Sequence, residues 1–135
     1  AAGLHAAERA EIAGCASAVL TEPDWADLFG PESLAEAPIA ALVGTSMVAG
    51  TIDRLLIAKD RIRLVDFKSA RRPPADIADV PRAVLRQMGA YAAALESAFP
   101  GRQIDAALLY TQTPVLLAIP AAMLDALKQE LQGAQ

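Results

Sequence analysis

The stretch from Met47 to Lys68 reads as a β-hairpin, and its turn decides which residues meet. Met47 to Ala58 makes one strand and Arg61 to Lys68 the next, with Lys59-Asp60 between them. For a turn there, residues whose numbers sum to 119 face each other, so Asp53 faces Asp66. Directly opposed carboxylates on neighbouring strands repel. A chain that carries such a pair is expected to place a cation between them.

The two-residue period of a strand extends the argument. Ile62, Leu64, Asp66 and Lys68 share one face, while Arg61 and Arg63 take the other. Asp66 and Lys68 therefore continue an apolar face that packs inward. Charges on that side are costly unless they are paired or bound to a metal.

The rest of the chain supplies elements around this hairpin. Residues 4–20 are Ala-rich and read as a helix, and a short second helix runs through Trp25, Leu28 and Phe29. Leu34 to Leu42 reads as a strand with Glu36 inside it, and Pro38 makes it an edge strand or a bulged one. Arg71-Arg72-Pro73-Pro74 is a loop. Val80 to Phe99 is helical, with Val84, Gln87, Met88, Tyr91 and Leu95 on one stripe. Ile104 to Thr111 is an apolar, internal strand, Val115 to Ile119 a further one, and Pro120 opens a last helix through Leu131. The order α-β-β-β-α-β-β-α predicts an α/β (α+β) fold with a mixed sheet. A parallel crossover joins the third and fourth strands.

Composition narrows the class. The chain has 135 residues, 54% of them hydrophobic, which predicts one folded domain over 1–135. No apolar run reaches the roughly 18 residues of a membrane span, and the Ala-rich start lacks the parts of a signal peptide. No membrane partner and a cytoplasmic setting are expected. The first residue is Ala, which suggests a piece of a longer chain. The single Cys15 excludes a disulfide framework within the chain and reads as a small buried side chain. The net charge of −4 by itself speaks against a nucleic-acid binder. Its distribution does not: nine cations and four acids between Arg54 and Arg86 leave that stretch at +5. A basic middle can carry a phosphate backbone, and a solvated charged face accounts for it equally well.

Chemically, Asp53 and Asp66 can hold a hard divalent cation, with the Phe67 main-chain carbonyl as a further oxygen ligand. Glu36, on the preceding strand, can assist or hold a second cation, and Lys68 can orient a water and stabilise developing charge on a phosphorus centre. Gln87 and Tyr91 lie four apart on one helix face, where the Gln needs polar partners.

Four segments in this order resemble the PD-(D/E)XK nuclease superfamily, most closely the RecB-type nuclease domains of bacterial helicase–nucleases of the AddA type. They are Ala35-Glu36-Ala37, Gly50-Thr51-Ile52-Asp53, Asp66-Phe67-Lys68 and Gln87-Met88-Gly89-Ala90-Tyr91. The resemblance covers most of the chain, from about Trp25 to Leu124. It implies a restriction-endonuclease-like core and a Mg²⁺-dependent deoxyribonuclease, with Mn²⁺ or Ca²⁺ as possible occupants of the same site. The catalytic set would be Glu36, Asp53, Asp66 and Lys68. Gln87, Tyr91, Arg71 and Arg72 would support the site or touch DNA. It also implies the C-terminal part of a larger helicase–nuclease with a partner subunit, acting in double-strand break repair. Alternatives are a stand-alone RecB-type exonuclease and a non-catalytic domain kept for subunit contacts. RecB-type domains carry an upstream His ligand as well. His5 reads as a helix-surface residue instead, so the motif helix is expected before residue 1, leaving this piece weakly active or inactive alone.

Overall fold

Two tight turns build most of the sheet. The computed structural model describes Trp25, Leu28, residues 31–70 and residues 72–133. The helix predicted over 4–20, with His5 and Cys15, lies outside the described residues, as does Arg71. Strand β1 (Leu34–Val43) pairs antiparallel with β2 (Ser46–Ile57) through a turn at Gly44-Thr45. Gly44 has φ 62, a left-handed conformation that glycine adopts without steric penalty. Strand β3 (Arg61–Lys68) pairs antiparallel with β2 in the predicted register, Arg54↔Val65 through Ile57↔Ile62. The Ala58 N–H donates to the Arg61 carbonyl at 2.9 Å and closes the expected turn at Lys59-Asp60.

A parallel crossover follows, as the sequence predicts. A 3₁₀ turn (Ile77–Asp79), N-capped by the Asp76 side chain, leads into helix α1 (Arg82–Ala98), and α1 returns the chain to β4 (Gln103–Tyr110) beside β3. Strand β5 (Val115–Ala118) is antiparallel to β4, and helix α2 (Ala121–Gly133) closes the described chain. The sheet order is β1-β2-β3-β4-β5, a mixed five-stranded sheet of an α+β fold. Pro38 falls on edge strand β1, where its missing N–H costs no ladder bond on the outer side.

The alternation in β3 divides the interior. Ile62 and Leu64 belong to the main core with Met88, Tyr91, Leu95, Leu108 and Leu124 from β4 and the two helices. On the other side Val65 packs with Leu28, Ala107 and Leu109, with Trp25 and Phe67 against them. Helices α1 and α2 approach closely at Gly89, where a Cβ would lie 2.6 Å from the Leu127 Cβ. Lys128 on α2 bonds Glu96 on α1 at 2.5 Å and strengthens the same seam.

One expectation needs correction. The β2–β3 ladder ends at Arg54↔Val65, so Asp53 and Asp66 are not a paired rung of the sheet. The cause is visible along β2. Its fully buried positions are Val48, Ile52 and Leu55, so the pleat changes phase between Ile52 and Leu55. On β1 the neighbouring Glu36, between the pairs Ala35↔Arg54 and Ala37↔Ile52, has φ 49. Left-handed backbone at a residue with a Cβ is strained by about 1–2 kcal/mol. Both strands thus deform at the level of Asp53, and the carboxylates meet across a break in the ladder.

Candidate metal centre

Past the last β2–β3 rung, Arg54↔Val65, the Asp53 side chain meets the main chain of β3 at Phe67. Phe67 N donates to Asp53 Oδ2 at 2.8 Å. This bond turns the Asp53 carboxyl across the end of β3, where the neighbouring Asp66 carboxyl raises its pKa. Asp66 is 9% exposed and continues the inward face of Ile62 and Leu64. Lys68, two residues on, reaches back along that face and places Nζ 2.9 Å from Asp66 Oδ2. Asp53, Asp66 and Lys68 therefore form one contiguous chain of polar groups at the end of the central strand.

Its electrostatics follow from that packing. Burial and the hydrogen bond to Asp66 push the Asp53 carboxyl up to about 7, against the opposing pull of the Phe67 N–H and the Lys68 charge. A carboxyl held partly out of water beside another carboxyl keeps its proton. Once Asp53 gives up that proton, the single Lys68 ammonium leaves the two carboxylates with one negative charge in excess, which a divalent cation would offset. The donors are carboxylate oxygens, suited to Mg²⁺, Mn²⁺ or Ca²⁺.

Strand β4 walls the site on the next side. Tyr110 is the in-register neighbour of Lys68 and is 3% exposed. Burial raises its hydroxyl above the usual tyrosine range, and the Lys68 charge draws it partway back. Thr111 donates to the Lys68 carbonyl from its N–H at 2.8 Å and from Oγ1 at 3.3 Å. Sequence reasoning passed over both residues as the end of an apolar strand. A threonine closing that strand was the available signal, and it gained meaning only from the β3–β4 register.

The helical pair is joined as its spacing predicts. Gln87 Nε2 donates to Tyr91 Oη at 3.2 Å. Tyr91 lies over Gly50 so closely that any Cβ there would collide with the hydroxyl, and the ring carbons would stand 3.0 and 3.1 Å away. Gly50 is thus the residue that admits Tyr91 against β2, three positions before Asp53.

Other predicted members stand apart. Among the described residues, no three of His, Cys, Asp or Glu cluster to hold a metal, so Glu36 does not join Asp53 and Asp66 in a triad. Glu36 is exposed, on the edge strand. Phe67 enters the site through its N–H, and its ring packs on the opposite side of the sheet. Arg72 is exposed in the loop after β3. The basic stretch is not one patch around the site. Arg63 lies over Trp25 on the far face, Arg61 pairs with Asp105 at 2.9 Å, and Arg82 and Arg86 both bond Glu130. Strand alternation sends Arg61 and Arg63 away from the face that carries Asp66 and Lys68.

The described residues thus form a mixed five-stranded sheet packed against α1, with Asp53, Asp66 and Lys68 gathered at the end of its central strand. The profile of the PD-(D/E)XK nuclease superfamily matches residues 5–132, and the chain belongs to that superfamily. Among solved structures, the crystal structure of SSO0001 aligns over 88% of this chain at 12% identity, with a TM-score of 0.44. The chain spans 59% of that protein's length. Comparison with curated proteins returns no match.

Proposed function

We propose that this domain is a divalent-metal-dependent deoxyribonuclease. The observation that carries the reading is the geometry at the end of β3, where Asp53 is bonded to the Phe67 N–H at 2.8 Å beside Asp66, and Lys68 is held on Asp66 at 2.9 Å. Asp53 and Asp66 would hold the cation, which when bound neutralises phosphate charge and acidifies water. Members of the superfamily generally use such ions.

The chain's own residues account for the remaining requirements. Lys68 is the cation of the site closest to Asp66, and its ammonium can orient a water and offset charge that develops on the phosphoryl oxygens. The Phe67 N–H holds Asp53 in place at 2.8 Å. Gln87 and Tyr91 form a hydrogen-bonded pair on α1, with Tyr91 lying against Gly50, three residues before Asp53. Arg72, in the loop following Lys68, is positioned by sequence to reach a phosphate of the bound strand. Glu36 takes part only if substrate or cation draws the edge strand inward.

More finely, we read the segment order as a resemblance to RecB-type nuclease domains of the AddA helicase–nucleases, which would have this domain degrade strands exposed at double-strand breaks in the cytoplasm. On this reading the domain works beside a helicase chain and a partner subunit, and no helix among the described residues is long and apolar enough to cross a membrane. The test is cleavage of labelled single- and double-stranded DNA by the intact protein with Mg²⁺ or Mn²⁺, beside Asp66→Ala. We expect cation-dependent cleavage that falls by at least about a hundredfold in the variant, the scale of losing an electrostatic catalytic group. Cleavage unaffected by Asp66→Ala, or by chelation, removes the proposed mechanism.

A further inference from the structure

We propose that Thr111 is a positioning residue for Lys68, fixing the last peptide of β3 so that the lysine stays aimed at Asp66. The inference rests on the catalytic role of Lys68 proposed above. Asp66 and Thr111 are the buried polar side chains among the described residues, and Thr111 is 8% exposed. One sits in the site. The other is tied to the site's lysine through the main chain.

The two bonds from Thr111 differ in kind. Its N–H bond to the Lys68 carbonyl, at 2.8 Å, continues the parallel ladder past its last rung, Lys68↔Tyr110. Any residue other than proline can make it. The Oγ1 bond to the same carbonyl, at 3.3 Å, is made by the side chain and requires a hydroxyl. A buried hydroxyl needs a hydrogen-bond partner, and a β-branched apolar side chain would otherwise suit this position.

The location makes the extra bond useful. Lys68 is the final residue of β3, and residues 69–70 have no regular structure. Beyond Lys68 the sheet no longer constrains the chain. Two donors on one carbonyl fix the orientation of the peptide after Lys68 and thereby the direction of its side chain. Tyr110, buried beside Lys68 on the same face, limits the lysine laterally. The side chain of Lys68 is 26% exposed, so it is free to swing toward solvent if this hold is lost.

The experiment compares Thr111→Val, Thr111→Ser and Lys68→Ala in the intact protein, singly and as Lys68→Ala/Thr111→Val, by DNA cleavage kinetics with Mg²⁺. Thr111→Val is expected to lower kcat about tenfold with KM within about twofold, since small misplacement of a catalytic group is costly. Thr111→Ser, which keeps the hydroxyl, is expected to restore kcat to within about threefold. In the Lys68→Ala background the valine should change nothing further, because the effect acts through the lysine. Thr111→Ala, read at reduced temperature, replaces the valine variant if that does not fold. Wild-type kcat in the variant without the hydroxyl overturns the inference. So does a serine variant as impaired as the valine one, or an undiminished valine effect in the Lys68→Ala background. Full activity of Lys68→Ala instead defeats the catalytic assignment of the lysine itself, and the inference falls with it.

Discussion

Replacing Asp53 by Asn isolates what the site costs the fold. Burial and the bond to Asp66 move the Asp53 carboxyl from 3.8 to about 7. Between those values the folded protein keeps a proton that the unfolded chain has lost. Stability therefore falls as pH rises through that window and is level above it. The span corresponds to about 4 kcal/mol at 1.36 kcal/mol per pH unit. Asp53 is only half-buried, and solvent screening reduces the figure to about 1–2 kcal/mol. Asn carries no charge, and its Oδ1 can accept the Phe67 N–H as Asp53 Oδ2 does. Asp53→Asn should then stabilise the cation-free protein at pH 8 by about 1–2 kcal/mol, or roughly 3–7 °C in Tm for a domain of this size. The difference should vanish near pH 4, and added Mg²⁺ should stabilise the wild type more than the variant. Thermal melts in EDTA at pH 4, 6 and 8, repeated with Mg²⁺, provide the assay. A variant less stable than wild type at pH 8, or a gain independent of pH, would refute the reasoning.

Two further predictions concern the scaffold. Gly89→Ala should destabilise the α1–α2 seam by about 1–3 kcal/mol, read by chemical denaturation, because the added methyl meets both the side chain and the main chain of Leu127. Gly50→Ala should displace the Tyr91 hydroxyl, break its bond with Gln87 and lower cleavage. The double variant Gly50→Ala/Tyr91→Phe should recover stability relative to Gly50→Ala, since it removes the atom that collides, and cleavage assays alongside melts would separate the two effects.

The strands and the two long helices among the described residues were legible because each carries its own period and boundary. Lys59-Asp60 fixed the register of β2 and β3, Pro38 marked the edge strand, and the helix between β3 and β4 required a parallel crossover. Asp66 and Lys68 were legible on one inward face for the same reason. The deformation at Asp53 was not. It depends on a change of pleat between Ile52 and Leu55 and a left-handed Glu36 on the neighbouring strand, and neither has a local sequence signal. The ladder rung expected between Asp53 and Asp66 does not form, and the two residues are neighbours across its end. The charge of the basic stretch left a phosphate-binding surface and a solvated charged face equally open. Alternation and ion pairing with Asp105 and Glu130 disperse those cations over separate faces. Thr111 was hidden because its significance lies in a carbonyl 43 residues earlier.

The central claim is that Asp53 and Asp66 together form a divalent-cation site, and calorimetric titration of the intact protein with Mn²⁺ tests it directly. The account predicts saturable binding by the wild type that is lost or severely weakened in both Asp53→Asn and Asp66→Asn, with both variants still folded by circular dichroism. Equal Mn²⁺ binding by the wild type and the two folded variants would contradict it.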